Sequence, residues 1–342
     1  MKNESFSEKY PLSLIDINTW EWPQGVGIYG LYQYYQATGS KEILDFLIKW
    51  YDDRIREGIK EKNINTTSPM ITLIELANIT GREDYWQLCR EWVDFLEKDL
   101  IRTGDGAFQH MITGDPNNGQ ILIDTLFMAL LFLKKAEKYF KQRCLGEEAE
   151  KQLLIHIEYL YDKKAKLFYH GWDFNEWHNY GEVHWARGNS WYTLGILDFL
   201  EIALVPAPLT QFFLNIYRRQ CESLRQIQHD SGLWHTILDD PSSYLETSAS
   251  AAFAYGILKG VRMGYLPEEY STVGQKALTG VCAQVDASGV VQGVSYGTPI
   301  GWDADFYRRI PLSPMTYGQA LTLLALLEGI KSRENLAEQK MK

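Results

Sequence analysis

The sequence predicts an all-α protein in which two concentric layers of helices close into a ring. The first observation is that helical segments without a polar face alternate along the chain with segments that carry one charged face. A helix that is apolar all round lies inside a protein, whereas an amphipathic helix covers it. The second observation is a turn motif that recurs after the amphipathic segments. Together they predict a toroid of helical hairpins with short strands in the loops at one end.

Six segments rich in apolar and small residues are the predicted inner helices: 26–37, 70–79, 121–136, 191–203, 249–261 and 315–330. Five segments with a charged face are the predicted outer helices: 41–56, 83–100, 147–161, 210–228 and 270–285. We expect the region 6–20 to supply the sixth outer helix and so complete the ring. Gly39 and Gly81 each follow an inner helix, where glycine commonly ends a helix in the left-handed conformation.

The turn motif follows four outer helices, at 104–108, 166–170, 230–235 and 286–290. We expect each copy to form a turn and a short strand that return the chain to the next inner helix. This arrangement places the loops and the N-termini of the inner helices at the same end of the ring. Helix N-termini attract anions, so this end is the expected position of a site for an acidic ligand.

Composition limits the class of protein and of partner. The 342 residues include 45% hydrophobic and 23% charged residues, with no Pro/Ser linker or charge run, which predicts one domain over residues 1–342. The net charge of -10 argues against nucleic acid and anionic membrane surfaces as partners, although a locally basic pocket would admit a small acidic ligand. The 11 Trp and 21 Tyr suit a site that stacks on sugar rings, or alternatively aromatic packing between helices.

The cysteines and histidines predict neither disulfides nor a metal site. Cys89, Cys144, Cys221 and Cys282 are far apart and fall in helical segments, as expected of reduced structural thiols. The seven histidines show no ligand spacing, so we expect no metal and no other cofactor. The first residues lead into no apolar leader, and no apolar run is long enough to span a membrane, which favours a cytoplasmic location.

Asp124 stands out because it lies near the start of the stretch 119–133, which is otherwise apolar on all sides. A carboxylate in such a segment is costly unless it is paired, hydrogen-bonded or needed for chemistry. One interpretation is structural: Asp124 accepts hydrogen bonds from the free backbone N–H groups of a helix start and meets the positive end of its dipole. The alternative is a role in catalysis.

Other residues that could form a site gather just before or at the starts of the inner helices. They are Trp22, Gln24, Asn65, His170, Trp185 and Arg187. Each also has a structural alternative. His170 could be an ordinary loop histidine, Arg187 could form an ion pair, and Trp185 could belong to the core.

Five motifs occur in order over nearly the whole chain: 120–133, 170–173, 185–191, 246–250 and 314–320. In this combination they resemble glycoside hydrolase family 105, the unsaturated rhamnogalacturonyl hydrolases, which are related to the unsaturated glucuronyl hydrolases of family 88. The resemblance implies an (α/α)6 barrel, in agreement with the six-hairpin toroid predicted from the helical pattern. It also implies a small acidic oligosaccharide as substrate.

The resemblance implies an unusual hydrolysis. Polysaccharide lyases leave a uronic acid with a C4=C5 double bond at the non-reducing end, and these hydrolases protonate C4 and add water at C5. The hemiketal that forms then collapses and releases an open-chain keto-uronate. Asp124 matches the expected proton donor, and an apolar, partly dry setting would help to keep it protonated near neutral pH.

The remaining roles follow from the same resemblance. His170 matches a histidine near the attacked face and could position water, while the planar fork of Arg187 suits the substrate carboxylate. The predicted sugar-binding and pocket-lining residues are Trp22, Gln24, Asn65 and Trp185.

Some positions depart from the family pattern, and other functions stay open at this stage. Relatives often have glycine at the positions of Ala186 and Ser190, and Asn65 lies in the stretch nearest to a second acidic residue of relatives. One alternative is another (α/α)6 enzyme, either an inverting glycosidase with two carboxylates or a sugar epimerase with paired histidines. A non-catalytic helical-repeat scaffold or sugar-binding module is the other.

Overall fold

A computed structural model describes residues 16–59 and 61–341 of the chain. Its helices, in chain order, are α1 (Trp22–Thr38), α2 (Lys41–Glu57), α3 (Ile64–Thr67), α4 (Met70–Thr80), α5 (Glu83–Asp94), α6 (Thr125–Met128), α7 (Leu130–Phe140), α8 (Arg143–Leu160), α9 (Ala186–Ile202), α10 (Ala207–Gln226), α11 (Thr247–Arg262), α12 (Tyr270–Cys282), α13 (Ala304–Arg308) and α14 (Thr316–Met341). The short strands are β1 (Gln120–Leu122), β2 (Tyr161–Asp162), β3 (Leu167–Phe168), β4 (Gly171–Asp173), β5 (Trp234–His235) and β6 (Leu245–Glu246).

Helices α1, α4, α7, α9, α11 and α14 form the inner ring. Each packs against the next, and α14 packs against α1, so that the ring closes. Helices α2, α5, α8, α10 and α12 cover it, each against the inner helix that precedes it in the chain. The predicted (α/α)6 barrel is confirmed. The region 6–20, predicted to supply the sixth outer helix, lies largely outside the described residues.

The small residues of the inner helices allow these helices to approach closely. A methyl group added to Gly30 of α1 would lie 2.7 Å from Cβ of Ala320 in α14. One added to Gly256 of α11 would lie 2.5 Å from the carbonyl oxygen of Thr193 in α9. Because a packed interior has no room for such groups, the small residues that distinguish these segments in the sequence are required by the ring itself.

The four predicted turns form, and each contains a residue in the left-handed region. These residues are Asp105 (φ 56°), Lys166 (φ 59°), Gly232 (φ 91°) and Gly289 (φ 84°). Three antiparallel pairs, β1 with β4, β2 with β3 and β5 with β6, tie the loops together. Gly39 and Gly81 end their helices in the left-handed conformation, as predicted.

The third inner segment differs from its prediction. Instead of one helix over 121–136, the structure has strand β1 and two helices, α6 and α7, which meet at Ala129 (φ −115°, ψ −40°). Strand β1 forms because its backbone pairs with β4, with Ile121 opposite Trp172. Pairing with a distant segment here outweighs the helical pattern. Asp124 consequently lies between a strand and a helix.

A buried polar network crosses the ring deeper in the barrel. Asp198 of α9 accepts hydrogen bonds from the hydroxyl groups of Tyr29 (2.5 Å) and Tyr255 (2.7 Å) and from Nζ of Lys259. The side chains of Asp198 and Lys259 are each only 5% exposed. Asp198 lies seven residues after Trp191, or about 10 Å along α9. The network is therefore well separated from the end at which the inner helices begin.

Candidate active site

Asp124 lies at the end of the barrel where the inner helices begin, directly before α6. It has the position of a capping residue, yet its side chain caps no backbone N–H group. Its Oδ1 instead accepts a hydrogen bond from Nε1 of Trp191, 3.0 Å away, and its side chain is 16% exposed. The interpretation of Asp124 as a helix cap is therefore wrong. A side chain from the neighbouring inner helix holds the carboxylate.

The pairing of β1 with β4 places His170 beside Asp124. The backbone N–H of Ile123 donates to the carbonyl oxygen of His170 at 3.0 Å. Nε2 of His170 lies 3.3 Å from Oδ2 of Asp124, and the histidine side chain is 2% exposed. Neither atom has a conventional hydrogen-bond partner among the described residues. The structure thus brings together the two residues predicted to be catalytic, and the atom of each that has no conventional partner lies 3.3 Å from that of the other.

The neighbours of Asp124 shift its pKa in the direction opposite to the one expected from the sequence. Burial raises the pKa of Asp124, but the hydrogen bond and the charge interaction with His170 lower it more, with smaller contributions from His110 and Arg187, and the net pKa lies below the usual range. The prediction that an apolar setting keeps Asp124 protonated near neutral pH is wrong for the free protein. Asp124 is a carboxylate there and has to gain a proton before it can act as an acid.

His110 completes the surroundings of the carboxylate. Burial lowers the pKa of His110 to about 4, so its ring is neutral near neutral pH. Nδ1 of His110 lies 2.8 Å from Oγ1 of Thr125, the residue after Asp124. This contact ties the start of α6 to the loop that contains His110.

Aromatic rings surround the carboxylate. The ring of Trp22 stacks on Tyr317, with 4.7 Å between centroids, and meets the edge of Trp191 at 6.4 Å. Trp22 thus contacts the tryptophan that binds Asp124, and it stays a predicted sugar-binding residue. Trp185 is only 1% exposed and packs against the ring of His170 at 4.3 Å. In this conformation Trp185 supports His170 and presents no open face to a sugar, contrary to its predicted role.

Arg187 is fully buried, and its guanidinium binds a segment of the protein itself. It donates to the carbonyl oxygens of Ser295 and Tyr296, both at 2.9 Å, to Oγ1 of Thr298 at 2.8 Å, and to Oγ of Ser295. The fork predicted to hold the substrate carboxylate thus holds the segment 295–298 in this structure. A direct contact with substrate requires this segment to move.

Glu246 holds the same segment from a second side. Its carboxylate is fully buried and accepts hydrogen bonds from the backbone N–H groups of Ser295 (2.8 Å) and Ala249 (2.6 Å). The second of these bonds caps the start of α11. Oε1 of Glu246 lies 3.9 Å from Nη1 of Arg187, so the two buried charges compensate each other.

The two remaining predicted binding residues differ in position. Gln24 is fully buried, and its Nε2 donates to the carbonyl oxygen of Asp16 at 2.6 Å, so its role in lining the pocket stays a prediction. Asn65 is partly exposed and lies in α3, which packs against α1 and against α6, the helix that follows Asp124. Asn65 therefore stays a predicted binding residue.

Sequence reasoning missed the roles of Trp191, Tyr307 and the segment 295–298. Trp191 lies within the motif 185–191 but has no predicted role, although a buried indole N–H needs an acceptor and could have pointed to Asp124. Tyr307, whose hydroxyl lies 2.7 Å from Nδ1 of His170, belongs to none of the motifs. No signal in the sequence relates these two residues, which are 137 positions apart.

Neither a metal site nor a membrane-spanning helix is found in the part of the chain that the structure describes. No group of three or more His, Cys, Asp and Glu side chains there could hold a metal ion. No helix of that part is long and apolar enough to cross a membrane. All four cysteines are free thiols.

The chain is similar to known proteins over nearly its full length. The sequence profile of Glycosyl Hydrolase Family 88 matches residues 2–333. The unsaturated rhamnogalacturonyl hydrolase YesR of Bacillus subtilis is 32% identical over 320 residues, which cover 93% of this chain and 91% of YesR.

Two crystal structures, each described as a possible member of the GH105 family, have the same fold. The protein from Klebsiella pneumoniae is 42% identical with a TM-score of 0.90, over 93% of this chain and 84% of that one. The protein from Salmonella enterica is 40% identical with a TM-score of 0.91, over 93% of this chain and 85% of that one. The profile match and the identity to YesR, both over nearly the full length, show that the chain belongs to Glycosyl Hydrolase Family 88.

Proposed function

We propose that this protein removes the unsaturated (4,5-dehydro) uronic acid from the non-reducing end of small acidic oligosaccharides. The observation that carries the proposal is the largely buried carboxylate of Asp124, which caps no helix, is held by Trp191 and faces His170. The similarity to YesR supports an unsaturated rhamnogalacturonan disaccharide as the substrate. Residues 1–342 would act as one catalytic domain that uses no metal or other cofactor. The free cysteines support a cytoplasmic location.

The reaction is a hydration followed by ring opening. Protonated Asp124 donates its proton to C4, which places positive charge on C5 and the ring oxygen. Water adds to C5, and its proton passes to the Asp124 carboxylate. The hemiketal opens as the bond between C5 and the ring oxygen breaks, and the hemiacetal left at C1 releases the second sugar.

The charge of the substrate accounts for the protonation of Asp124. In the free protein the neighbours of Asp124 hold its pKa below the usual range. A second carboxylate, from the unsaturated uronate, disfavours the ionised form of the first, and the sugar excludes water from it. Substrate binding therefore raises the pKa of Asp124, so that its carboxyl group is protonated when C4 accepts the proton.

The test is activity toward a matched pair of substrates. We expect turnover of an unsaturated uronyl disaccharide, followed as loss of the near-ultraviolet absorbance of its conjugated double bond. The saturated disaccharide, followed by release of the second sugar, should not be cleaved. Equal cleavage of both disaccharides would exclude hydration of the double bond as the mechanism.

Arg187→Lys is expected to raise KM roughly 10-fold or more, because a point charge cannot replace the bonds of a planar fork to several acceptors. The measurement is steady-state kinetics on the unsaturated disaccharide. Thr298→Val is the matched variant, since it removes one partner of the fork and keeps Arg187. A parallel rise in KM in Thr298→Val would show that Arg187 acts by holding the segment 295–298. An unchanged KM in Arg187→Lys would remove Arg187 from the binding site.

A further inference from the structure

Tyr307 contacts the catalytic pair from the side opposite Asp124. It lies in α13, is 1% exposed, and its hydroxyl oxygen is 2.7 Å from Nδ1 of His170. The same oxygen accepts a hydrogen bond from the backbone N–H of Gly301 at 3.0 Å. No hydrogen bond among the described residues joins Tyr307 to Asp124. Its contact with the site therefore passes through His170.

These two bonds determine where the protons lie. Burial raises the pKa of Tyr307, so the phenol keeps its proton near neutral pH. Gly301 is a donor and cannot accept that proton, and Nδ1 of His170 is the acceptor within reach among the described residues. The phenol O–H consequently donates to Nδ1, which must be unprotonated to accept it.

We propose that Tyr307 is a positioning residue that fixes His170 as the neutral tautomer with its proton on Nε2. That proton faces Oδ2 of Asp124, 3.3 Å away. If both ring nitrogens of His170 carried protons, Nδ1–H would face the phenol oxygen of Tyr307. The buried O–H of Tyr307 would then have no acceptor, which costs folding free energy. The bond made by one ring nitrogen thus sets the state of the other.

The tautomer decides what His170 can do in the proposed reaction, on which the kinetic part of this inference rests. With a proton on Nε2 and a hydrogen bond at Nδ1, neither nitrogen can take a proton from water. His170 is then a donor that orients the water or the Asp124 carboxylate. The proton of the attacking water goes to Asp124, whose own proton has passed to C4.

The segment before α13 is part of the same arrangement. Gly301, which satisfies the phenol oxygen, follows the segment 295–298 that Arg187 and Glu246 hold. A methyl group added to Gly301 would lie 2.1 Å from the ring of Phe306, so this position requires glycine. The residues that anchor the segment therefore also hold the partner of Tyr307 in place.

The tautomer can be measured directly by nitrogen NMR of protein with 15N-labelled histidines, near neutral pH, with His170→Gln used for assignment. We expect Nδ1 of His170 to be unprotonated and Nε2 protonated in the parent protein. In Tyr307→Phe, Nδ1 should gain a proton in a substantial fraction of molecules. A proton on Nδ1 in the parent would overturn the proposal, even if Tyr307→Phe failed to fold. An unchanged His170 spectrum in folded Tyr307→Phe would overturn it as well.

Kinetics test the consequence for the reaction. We expect kcat of Tyr307→Phe to fall about 10- to 100-fold, the range seen when the partner that orients a metal-bound histidine is lost, with KM changed less than about twofold. Tyr217→Phe is the matched control, since it removes a buried hydroxyl that donates to the carbonyl oxygen of Gly256 at 2.8 Å. Its kcat should stay within about twofold of the parent. A parental kcat in Tyr307→Phe would contradict the positioning role. If the parent protein turned over no unsaturated uronide, the proposed function would fail, and the NMR result would still decide the tautomer.

Discussion

Asp124→Asn is expected to lower kcat roughly 100- to 10,000-fold, because the carboxamide cannot deliver a proton to C4. The variant should fold. Its side-chain oxygen can still accept the hydrogen bond from Nε1 of Trp191, although its amide group then meets Nε2–H of His170. We expect this mismatch to lower Tm by roughly 2 to 6 °C. The measurements are turnover of the unsaturated disaccharide and a thermal melt.

Asp286→Asn is the matched control for this variant. The carboxylate of Asp286 is exposed and holds a turn through bonds from Ser288 and the backbone N–H of Val290. Its turnover should equal that of the parent. An Asp124→Asn protein that turns over within a few-fold of the parent would contradict the assignment of Asp124 as the acid.

Lys259→Met is expected to lower the free energy of unfolding by about 3 to 5 kcal/mol, because it leaves the buried carboxylate of Asp198 without its cation. For a chain of this size the change corresponds to a drop in Tm of roughly 4 to 7 °C. The network lies about 10 Å along α9 from Trp191, so turnover per folded molecule should match the parent. Denaturant unfolding and a thermal melt measure the effect.

Two further variants separate the effect of a buried unpaired charge from the loss of an ordinary ion pair. Lys49→Met removes an exposed ion pair to Asp53, with Lys49 74% exposed, and should change the stability far less, because water screens the two charges. Replacing both partners, as Asp198→Leu with Lys259→Met, should recover part of the lost stability, because no buried charge is left unpaired, although the hydroxyl groups of Tyr29 and Tyr255 lose their acceptor. A loss in Lys259→Met no larger than that of Lys49→Met would show that the buried pair contributes little.

The helices could be predicted because their signals are local. A segment such as 249–261 is apolar on every side, and the helix α11 that contains it is buried over Thr247–Gly260. Gly39 and Gly81 end helices through their own backbone conformation, with φ of 66° and 67°. The turn motif works in the same way, since each copy reverses the chain through one or two residues with positive φ.

The wrong prediction of a single helix over 121–136 shows what local sequence signals cannot report. Residues 120–122 have the composition of a buried helix, but they pair with Gly171–Asp173 as a strand. That pairing depends on a segment some fifty positions away, which no helical periodicity can report. It is also what places His170 beside Asp124.

The sequence by itself determined the alternation of buried and covering helices, the barrel, and the identity of Asp124 and His170 as a pair worth testing. Only the tertiary structure decided what surrounds them. In the folded chain Trp191, and not a helix start, binds the Asp124 carboxylate. Arg187 binds the segment 295–298, and Tyr307 contacts His170. The physical reason is that hydrophobic periodicity reports how each helix faces the core, which is a local property. Charge, tautomer and pKa depend on which side chains from distant elements meet when the ring closes.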